Sequence, residues 1–151
     1  MNLSESNNIK IKIIKTDDIN ACLEIRRKVF IDEQNVPTEL EIDDYDTSNS
    51  KCEHFLITDN ATNVGTFRLI YDKPEIAHMQ RLCILPEMRG KGCGYAAMSF
   101  LKEECKKRGN SKITLGAQCH AIPFYESCGF VCVSDVFLDA GIEHKTMECV
   151  L

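Results

Sequence analysis

The residues most able to do chemistry lie in one stretch, between Gln80 and Tyr95. An apolar strand there is stopped by Pro86, glycines follow at positions 90, 92 and 94, and a helix is predicted to begin at about Tyr95. Alternating glycines let backbone N–H groups approach a ligand without Cβ atoms in the way. A helix N-terminus adds unpaired N–H groups and the positive end of the helix dipole. The stretch therefore predicts a loop that binds a phosphate or pyrophosphate group.

Two nucleotide-binding patterns can be compared with this loop, which Arg89 and Lys91 bracket with positive charge. The P-loop pattern is absent, because no Gly-Lys-Ser/Thr follows a glycine at the required spacing. The dinucleotide pattern is met by Gly92, Gly94 and Ala97, but it also expects an acidic residue at the end of the next strand. That strand ends Leu-Gly-Ala-Gln, at positions 115–118. A dinucleotide site therefore rests on three residues, and a plain glycine-rich turn is a further alternative.

The elements that would position this loop follow from the spacing of apolar residues and from turn signals. The predicted strands are Ile9 to Ile13, His54 to Thr58, Val64 to Tyr71, Ile76 to Leu85, Ile113 to Ala117, Phe130 to Leu138 and His144 to Leu151. The predicted helices are Ile19 to Phe30, Tyr95 to Gly109 and Ala121 to Cys128. Short connections predict that the second, third and fourth strands form an antiparallel meander, whereas the crossover helix predicts one parallel pair. We therefore expect an α+β fold whose mixed sheet has about seven strands.

Length and composition favour one globular domain, residues 1–151. No apolar run approaches the roughly 20 residues of a membrane span, and the polar segment Met1 to Asn8 does not resemble a signal peptide. We therefore expect a soluble, cytoplasmic protein without a membrane partner. The net charge of −5 disfavours nucleic acid as a partner. Nine cysteines without Cys-x-x-Cys spacing and four scattered histidines indicate reduced thiols and no metal site.

Seven carboxylates crowd the segment that follows the first predicted helix. They are Asp32, Glu33, Glu39, Glu41, Asp43, Asp44 and Asp46. Because Pro37 interrupts the segment, no helix is predicted to continue through it. Two interpretations are open: a solvated loop, or a lid whose carboxylates meet a cationic substrate.

Together with these elements, the sequence Arg89-Gly90-Lys91-Gly92-Cys93-Gly94 resembles the acetyl-CoA signature Arg/Gln-x-x-Gly-x-Gly/Ala of the GNAT superfamily of N-acyltransferases. A second segment, Ala121 to Phe130, is similar to that family's Ala-x-x-Phe-Tyr-x-x-x-Gly-Phe. The predicted element order is also similar to the GNAT fold, so the resemblance covers nearly the whole chain. It implies that the loop amides hold the pyrophosphate of coenzyme A. The cofactor-binding residues that it implies are Leu82, Cys83, Ile84, Arg89, Gly90, Lys91, Gly92, Cys93, Gly94, Gln118 and Tyr125.

One departure and one subgroup accompany the resemblance. Gln118 stands where many family members have an asparagine that bonds the pantetheine arm, and it offers the same amide groups on a longer stem. The segments Val29 to Pro37 and Phe137 to His144 look like a branch of small bacterial GNAT proteins whose substrates are mostly unassigned. That branch is sometimes labelled by analogy with glucosamine-6-phosphate N-acetyltransferases.

The resemblance implies that the strand from Leu82 to Ile84 diverges from its neighbour and leaves backbone groups free for pantetheine. Cys83 is then a strand residue and not a nucleophile, because direct acetyl transfer needs no covalent enzyme intermediate. Tyr125 is the candidate general acid: a phenol with a pKa of about 10 stays protonated at pH 7 and can donate to a departing thiolate. The alternative for Tyr125 is simple packing beside Phe124.

The general base is open between His78 and Glu33, with His144 as an alternative. Alternation along the fourth strand predicts that one face carries His78, Gln80, Leu82 and Ile84. By analogy with GNAT proteins, the acceptor contacts are Arg26, Glu33 and Gln34. The alternative for these three is local ion pairing within the acidic segment.

The predicted function is acetyl transfer from acetyl-CoA to a primary amine by direct attack. The acceptor is expected to be a small-molecule or peptide amine, such as an amino sugar phosphate, a polyamine, an aminoglycoside or a lysine side chain. Paired subunits are common in this superfamily, which makes a homodimer an expectation. Two alternatives come from other classes of protein: a non-catalytic acyl-CoA sensor of the same fold, and a nicotinamide-dependent oxidoreductase.

Overall fold

A computed structural model describes residues 9–47 and 51–151, and these form an eight-stranded mixed sheet with helices on both faces. The strands are β1 (Ile11–Thr16), β2 (Cys52–Asp59), β3 (Thr62–Lys73), β4 (Ile76–Ile84), β5 (Lys112–Gln118), β6 (Val131–Cys132), β7 (Phe137–Asp139) and β8 (Ile142–Val150). The α-helices are α1 (Ile19–Arg26), α2 (Thr38–Glu41), α3 (Cys93–Lys107) and α4 (Ile122–Ser127), and a π-helix (Arg27–Glu33) continues α1. The predicted α+β class is confirmed. The segment Met1 to Asn8 lies outside the described residues.

The sheet order is β1-β2-β3-β4-β5-β8-β6, and β7 also pairs with β8. Strands β1 to β4 are antiparallel neighbours, and for β2, β3 and β4 the short connections predict this. The predicted parallel pair is also present, because α3 carries the chain from β4 back to β5. No helix within the described residues is long and apolar enough to cross a membrane.

The sheet has eight strands and not seven because the predicted strand from Phe130 to Leu138 is divided. Its two parts, β6 and β7, both pair with β8. Between them, the hydroxyl of Ser134 accepts a hydrogen bond from the backbone N–H of Thr146 at 2.8 Å. A side-chain oxygen thus takes the place of a strand partner, and the ladder is interrupted there.

The core has one cluster on each face of the sheet. On the first face, α3 packs Ala97, Met98 and Leu101 against strand residues such as Phe67 and Leu69. On the second face, α1 and the π-helix pack a smaller cluster formed by Cys22, Ile25, Val29, Leu56, Cys83 and Leu85. The first helix begins where predicted, since the side chain of Asp18 caps it by accepting from the N–H of Ala21 at 3.1 Å.

A bulge at Arg81 breaks the predicted alternation along β4. The pairing of β3 with β4 shifts between Thr66 and Arg68, and Arg81 has a φ of +60°. Before the bulge, Met79 packs in the first cluster; after it, Leu82 and Ile84 pack against that cluster, while Cys83 packs in the second. The prediction that His78, Gln80, Leu82 and Ile84 share one face is therefore wrong, because the extra residue reverses the side-chain parity.

The acidic segment is neither a solvated loop nor an open lid at its centre. Glu41 is 2% exposed, and its carboxylate accepts from Arg26 Nε at 2.9 Å and from Arg81 Nε at 2.6 Å. Arg26 also donates to Asp46 at 2.6 Å. Burial alone would raise the pKa of Asp46, but the hydrogen bonds from Arg26 and from the backbone N–H of Asp43, together with the charges of Arg26 and Arg68, outweigh burial and lower the pKa. Arg68 joins the network by donating to Asp46 at 3.0 Å.

The Glu41→Gln variant tests how far the fold depends on this network. Removal of one partner of a buried ion pair leaves uncompensated charge and should lower the free energy of unfolding in urea by about 3–5 kcal/mol. Glu24→Gln is the matched control, because the pair between Glu24 and Arg27 is exposed and should contribute less than about 1 kcal/mol. Equal losses for the two variants would show that the buried network does not stabilise the fold.

Candidate functional site

The candidate site lies where β4 and β5 separate. Their parallel pairing runs from Ile76 opposite Lys112 to Met79 opposite Leu115 and then stops. Beyond that point β4 pairs only with β3, and β5 pairs only with β8. The divergence that the family resemblance implies is therefore present, and a cleft of about 990 Å³ opens there.

The glycine loop forms one end of this cleft. Gly90 and Gly92 have φ values of +75° and +86°, and a Cβ at either position would meet no atom within 4 Å. The backbone conformation at these two positions therefore favours glycine, although there is room for a larger side chain. Helix α3 begins at Cys93, two residues before the predicted start, and its first bond runs from Ala96 N–H to Gly92 O at 3.0 Å. The backbone N–H groups of residues 90–95 have no backbone acceptor among the described residues.

The two loop cations differ in their surroundings. Arg89 donates to both carboxylate oxygens of Glu33 at 2.7 Å and to the carbonyl of Ile84 at 3.1 Å. The hydrogen bond from Arg89 holds the pKa of the Glu33 carboxyl below its usual value. A lowered pKa makes Glu33 a weaker base, which argues against the predicted base role. Lys91 is exposed and does not line the cleft.

Tyr125 lies in the cleft wall and is 7% exposed. Its ring packs edge-on against Phe124 and Phe130, with centroid distances of 5.0 and 5.9 Å. Burial raises the pKa of the phenol well above its usual value, so the hydroxyl remains protonated. Among the described residues, every fully buried side-chain N or O atom except Asn110 Oδ1 has a hydrogen-bond partner. The Tyr125 hydroxyl has no partner among these residues, so it is not fully buried and opens to the cleft that Tyr125 lines.

Gln34 and Gln118 form a reciprocal amide pair across the cleft, although sequence analysis gave them separate roles. Gln34 Nε2 donates to Gln118 Oε1 at 3.1 Å, and Gln118 Nε2 donates back to Gln34 Oε1 at 2.9 Å. His120 Nε2 also donates to Gln118 Oε1, at 2.7 Å. The pair links the end of the π-helix to the end of β5, which are 84 residues apart in sequence.

The remaining predicted residues divide into those at the cleft and those outside it. Leu82, Cys83 and Ile84 line it, as do Gly94 and Cys93. Burial raises the pKa of the Cys83 thiol far above its usual value, so the thiol stays neutral, as expected for a strand residue.

Arg26 lies outside the cleft, whereas His78 lines it. Arg26 is 1% exposed, does not line the cleft and is ion-paired with Glu41 and Asp46, which corrects the expectation that it contacts an acceptor. His78 does line the cleft, in the part of β4 that is still paired with β5, and its Nδ1 lies 2.8 Å from Thr114 Oγ1.

The hairpin of β7 and β8 contributes residues that sequence analysis did not assign to the site. Phe137, Asp139 and Ile142 line the cleft beside His144. Their segment was noticed in the sequence, but its position is set by the pairing of β8 with β5, which local spacing does not encode. Within residues 9–47 and 51–151, no group of three or more His, Cys, Asp or Glu side chains is arranged to hold a metal ion.

Comparison with known proteins gives three findings. A family model described as "Acetyltransferase (GNAT) domain" matches residues 21–151. A relative in Bacillus subtilis, named "Uncharacterized N-acetyltransferase YjcF", is 37% identical over 124 residues, which cover 82% of this chain and 86% of YjcF. The crystal structure of Escherichia coli ElaA has a TM-score of 0.78 and 29% identity, covering 93% of this chain and 99% of ElaA.

A more distant structure shares the fold alone. It is an aminoglycoside 6'-N-acetyltransferase complexed with coenzyme A, with a TM-score of 0.72 and 16% identity, covering 92% of this chain and 96% of that one.

The Gly94→Ala variant tests the close packing between the loop and α4. A Cβ at Gly94 would lie 3.0 Å from Phe124 Cζ, and Phe124 is held between Tyr95 and Tyr125. Overpacking of this kind costs about 1–3 kcal/mol, and the gain in helix propensity, about 1 kcal/mol, offsets only part of it. We expect a lower free energy of unfolding in urea and altered NMR shifts of the Phe124 ring.

Gly116→Ala is the matched control for this variant. Its Cβ would meet Phe137 Cζ at 3.6 Å, which is an ordinary contact, so no loss of stability is expected. A Gly94→Ala variant as stable as Gly116→Ala would contradict the tight contact.

Proposed function

The chain belongs to the GNAT acetyltransferase family, and on this premise we propose that it transfers an acetyl group from acetyl-CoA to a primary amine by direct attack in a ternary complex. The observation that carries the proposal is the continuity of one cleft. It joins a loop of unpaired backbone N–H groups to the separated ends of β4 and β5, and the Tyr125 hydroxyl opens into it.

The glycine loop is suited to the pyrophosphate of coenzyme A. The N–H groups of residues 90–95 have no backbone acceptor in the part of the chain that the structure describes, and two glycines with positive φ turn the backbone without Cβ atoms on the ligand side. The charge of Arg89 is balanced by Glu33, so in this proposal the N–H groups and the dipole of α3 supply most of the attraction. Coenzyme A bound to a distant structural neighbour agrees with this choice of ligand.

The free edge of β4 is suited to the pantetheine arm. Beyond Met79 this edge has no β5 partner, so backbone groups from Leu82 to Ile84 are available to the amides of an extended ligand. In this proposal the thioester then lies near Tyr125, whose protonated hydroxyl donates to the departing sulfur. Direct transfer also agrees with a neutral, buried Cys83, which is no nucleophile.

The acceptor is proposed to be a small-molecule or peptide primary amine. Five of the seven carboxylates that suggested a lid for a cation are ion-paired: Asp32, Glu33, Glu41, Asp43 and Asp46. The acidic segment therefore offers little free negative charge, and the cleft itself has to recognise the amine. The open hydroxyl of Tyr125 favours an enzyme over a sensor of the same fold.

Calorimetric titration of the purified chain with acetyl-CoA, with NAD as the control, tests the cofactor. We expect binding of acetyl-CoA alone, followed by thiol release with at least one member of a panel formed by glucosamine 6-phosphate, spermidine, an aminoglycoside and a lysine peptide. No binding of acetyl-CoA would overturn the proposal, and binding of NAD instead would favour the oxidoreductase. Binding without acetylation of any amine would favour the sensor.

The Tyr125→Phe variant tests the proposed general acid. Loss of the hydroxyl should lower kcat by about 10²- to 10⁴-fold, because general acid catalysis contributes on this order. The dissociation constant of acetyl-CoA should change little, since the ring packing is kept. Tyr71→Phe is the control: the Tyr71 hydroxyl contacts Arg108 and does not line the cleft. Unchanged turnover in Tyr125→Phe would remove Tyr125 from the mechanism.

A further inference from the structure

We propose that His144 is the general base, and that its Nε2 takes a proton from the acceptor amine. The inference rests on the proposed function, which requires a neutral amine at the thioester. It selects, from the three candidates named from the sequence, the residue whose hydrogen bonding fixes the position of its lone pair, in preference to His78 and Glu33.

The first observation concerns the tautomer of the ring. His144 Nδ1 lies 2.7 Å from the backbone carbonyl oxygen of Ile142. A carbonyl oxygen only accepts hydrogen bonds, so Nδ1 must carry the hydrogen and donate it. In the neutral imidazole, Nε2 is then the atom with the free lone pair. The backbone of the same hairpin thus sets the basic nitrogen.

The second observation concerns the orientation of the ring. His144 is 8% exposed and is stacked on Phe137, with a centroid distance of 5.8 Å and an interplanar angle of 23°. Phe137 in turn lies over Gly116, where no side chain stands between the hairpin and β5. In the strand register, His144 is opposite both Phe137 and Gln118. The imidazole is therefore held between two strands at the open end of the cleft.

The third observation is access. His144 lines the cleft that contains Tyr125. Among the described residues, every fully buried side-chain N or O atom except Asn110 Oδ1 has a hydrogen-bond partner. His144 Nε2 has no partner within that part of the chain, so it is not fully buried and is open to solvent. A base and an acid, one on β8 and one on α4, are thus both open to one cavity.

The other two candidate bases, His78 and Glu33, are less suited to accept a proton from the amine. The Nδ1 atom of His78 faces the hydroxyl of Thr114, which can donate or accept, so this contact fixes no tautomer. Glu33 is ion-paired with Arg89, and that contact lowers the pKa of its carboxyl.

Other titratable groups lie on β8 and on the elements next to it. They are Asp139 on β7, His120 after β5, Lys112 on β5, Cys132 on β6, and Glu143, Lys145 and Glu148 on β8 itself. Lys112 pairs with Glu148 at 3.1 Å, at the opposite end of β5 from His144. Asp139 lines the cleft together with His144.

In the proposed reaction, the ammonium of the acceptor gives one proton to His144 Nε2, and the neutral nitrogen attacks the thioester carbonyl carbon. As the C–N bond forms and the C–S bond breaks, Tyr125 gives its proton to the sulfur and recovers one from the new amide nitrogen. The imidazolium releases its proton to solvent, and the products are the N-acetyl amine and the free thiol.

The His144→Asn variant separates a catalytic role from a structural one. The Asn amide stands close to the position of Nδ1 and can still donate to Ile142, but the basic nitrogen is lost. We expect kcat to fall by about 10²- to 10⁴-fold near neutral pH while acetyl-CoA binding, followed by calorimetry, is unchanged. We also expect the acid limb of the profile of kcat/KM against pH to move toward the pKa of the free amine. Glu143→Gln, an exposed neighbour outside the cleft, should leave activity unchanged.

Two further measurements complete the test. Nitrogen NMR of the free protein should show the His144 proton on Nδ1; a proton on Nε2 would overturn the proposal without reference to any substrate. The His78→Asn variant should retain the acid limb of the profile of kcat/KM against pH. Loss of that limb in His78→Asn, and not in His144→Asn, would also overturn the proposal. If the His144→Asn variant binds acetyl-CoA and acetylates an amine as well as the wild-type chain does, only the base assignment is refuted. A wild-type chain that acetylates no amine refutes the proposed function, and the base falls with it.

Discussion

Backbone groups of β4 and β5 pair with each other only as far as Met79 and Leu115, and the cleft exists because the two strands then separate. On their opposite edges β4 stays paired with β3 and β5 stays paired with β8. Unpaired backbone groups buried in protein are costly, so the edges that face each other must meet solvent or a ligand in the cleft. What remains is a free edge of β4, and the glycine loop before α3 lines the same cleft. A ligand with alternating amides and a diphosphate fits such an edge and such a helix end.

The bulge at Arg81 and the buried ion network maintain this divergence from the second face of the sheet. Arg81 leaves the regular strand conformation, and its side chain is held by Glu41, which also binds Arg26. Charges this deeply buried are tolerated only when paired and hydrogen-bonded. The acidic segment is consequently drawn down onto the sheet. Five of its seven carboxylates are ion-paired with arginines, and two of these five, Glu33 and Glu41, also line the cleft.

Two side chains of different origin meet at the reaction site proposed for this cleft. Tyr125 arrives on α4 with its hydroxyl protonated by burial, and His144 arrives on β8 with its tautomer set by Ile142. The amide pair of Gln34 and Gln118 joins two other elements that line the cleft. Both rings are held by neighbouring residues of this chain, which keeps the site organised before a substrate enters.

Local patterns in the sequence determined the α+β class, the antiparallel meander, the parallel crossover pair and the glycine loop, because turn chemistry and apolar periodicity act within a few residues. The family resemblance, and not local spacing, pointed to Tyr125, which lines the cleft. The local patterns failed at Arg81, where one extra residue reverses the strand parity, and at Arg26, whose partners Glu41 and Asp46 lie 15 and 20 residues away. The pairing of Gln34 with Gln118 and the burial of Arg26 against Glu41 and Asp46 were decided only by the tertiary structure. These contacts depend on strand register and buried charge pairing between distant segments, and neither is encoded in local spacing.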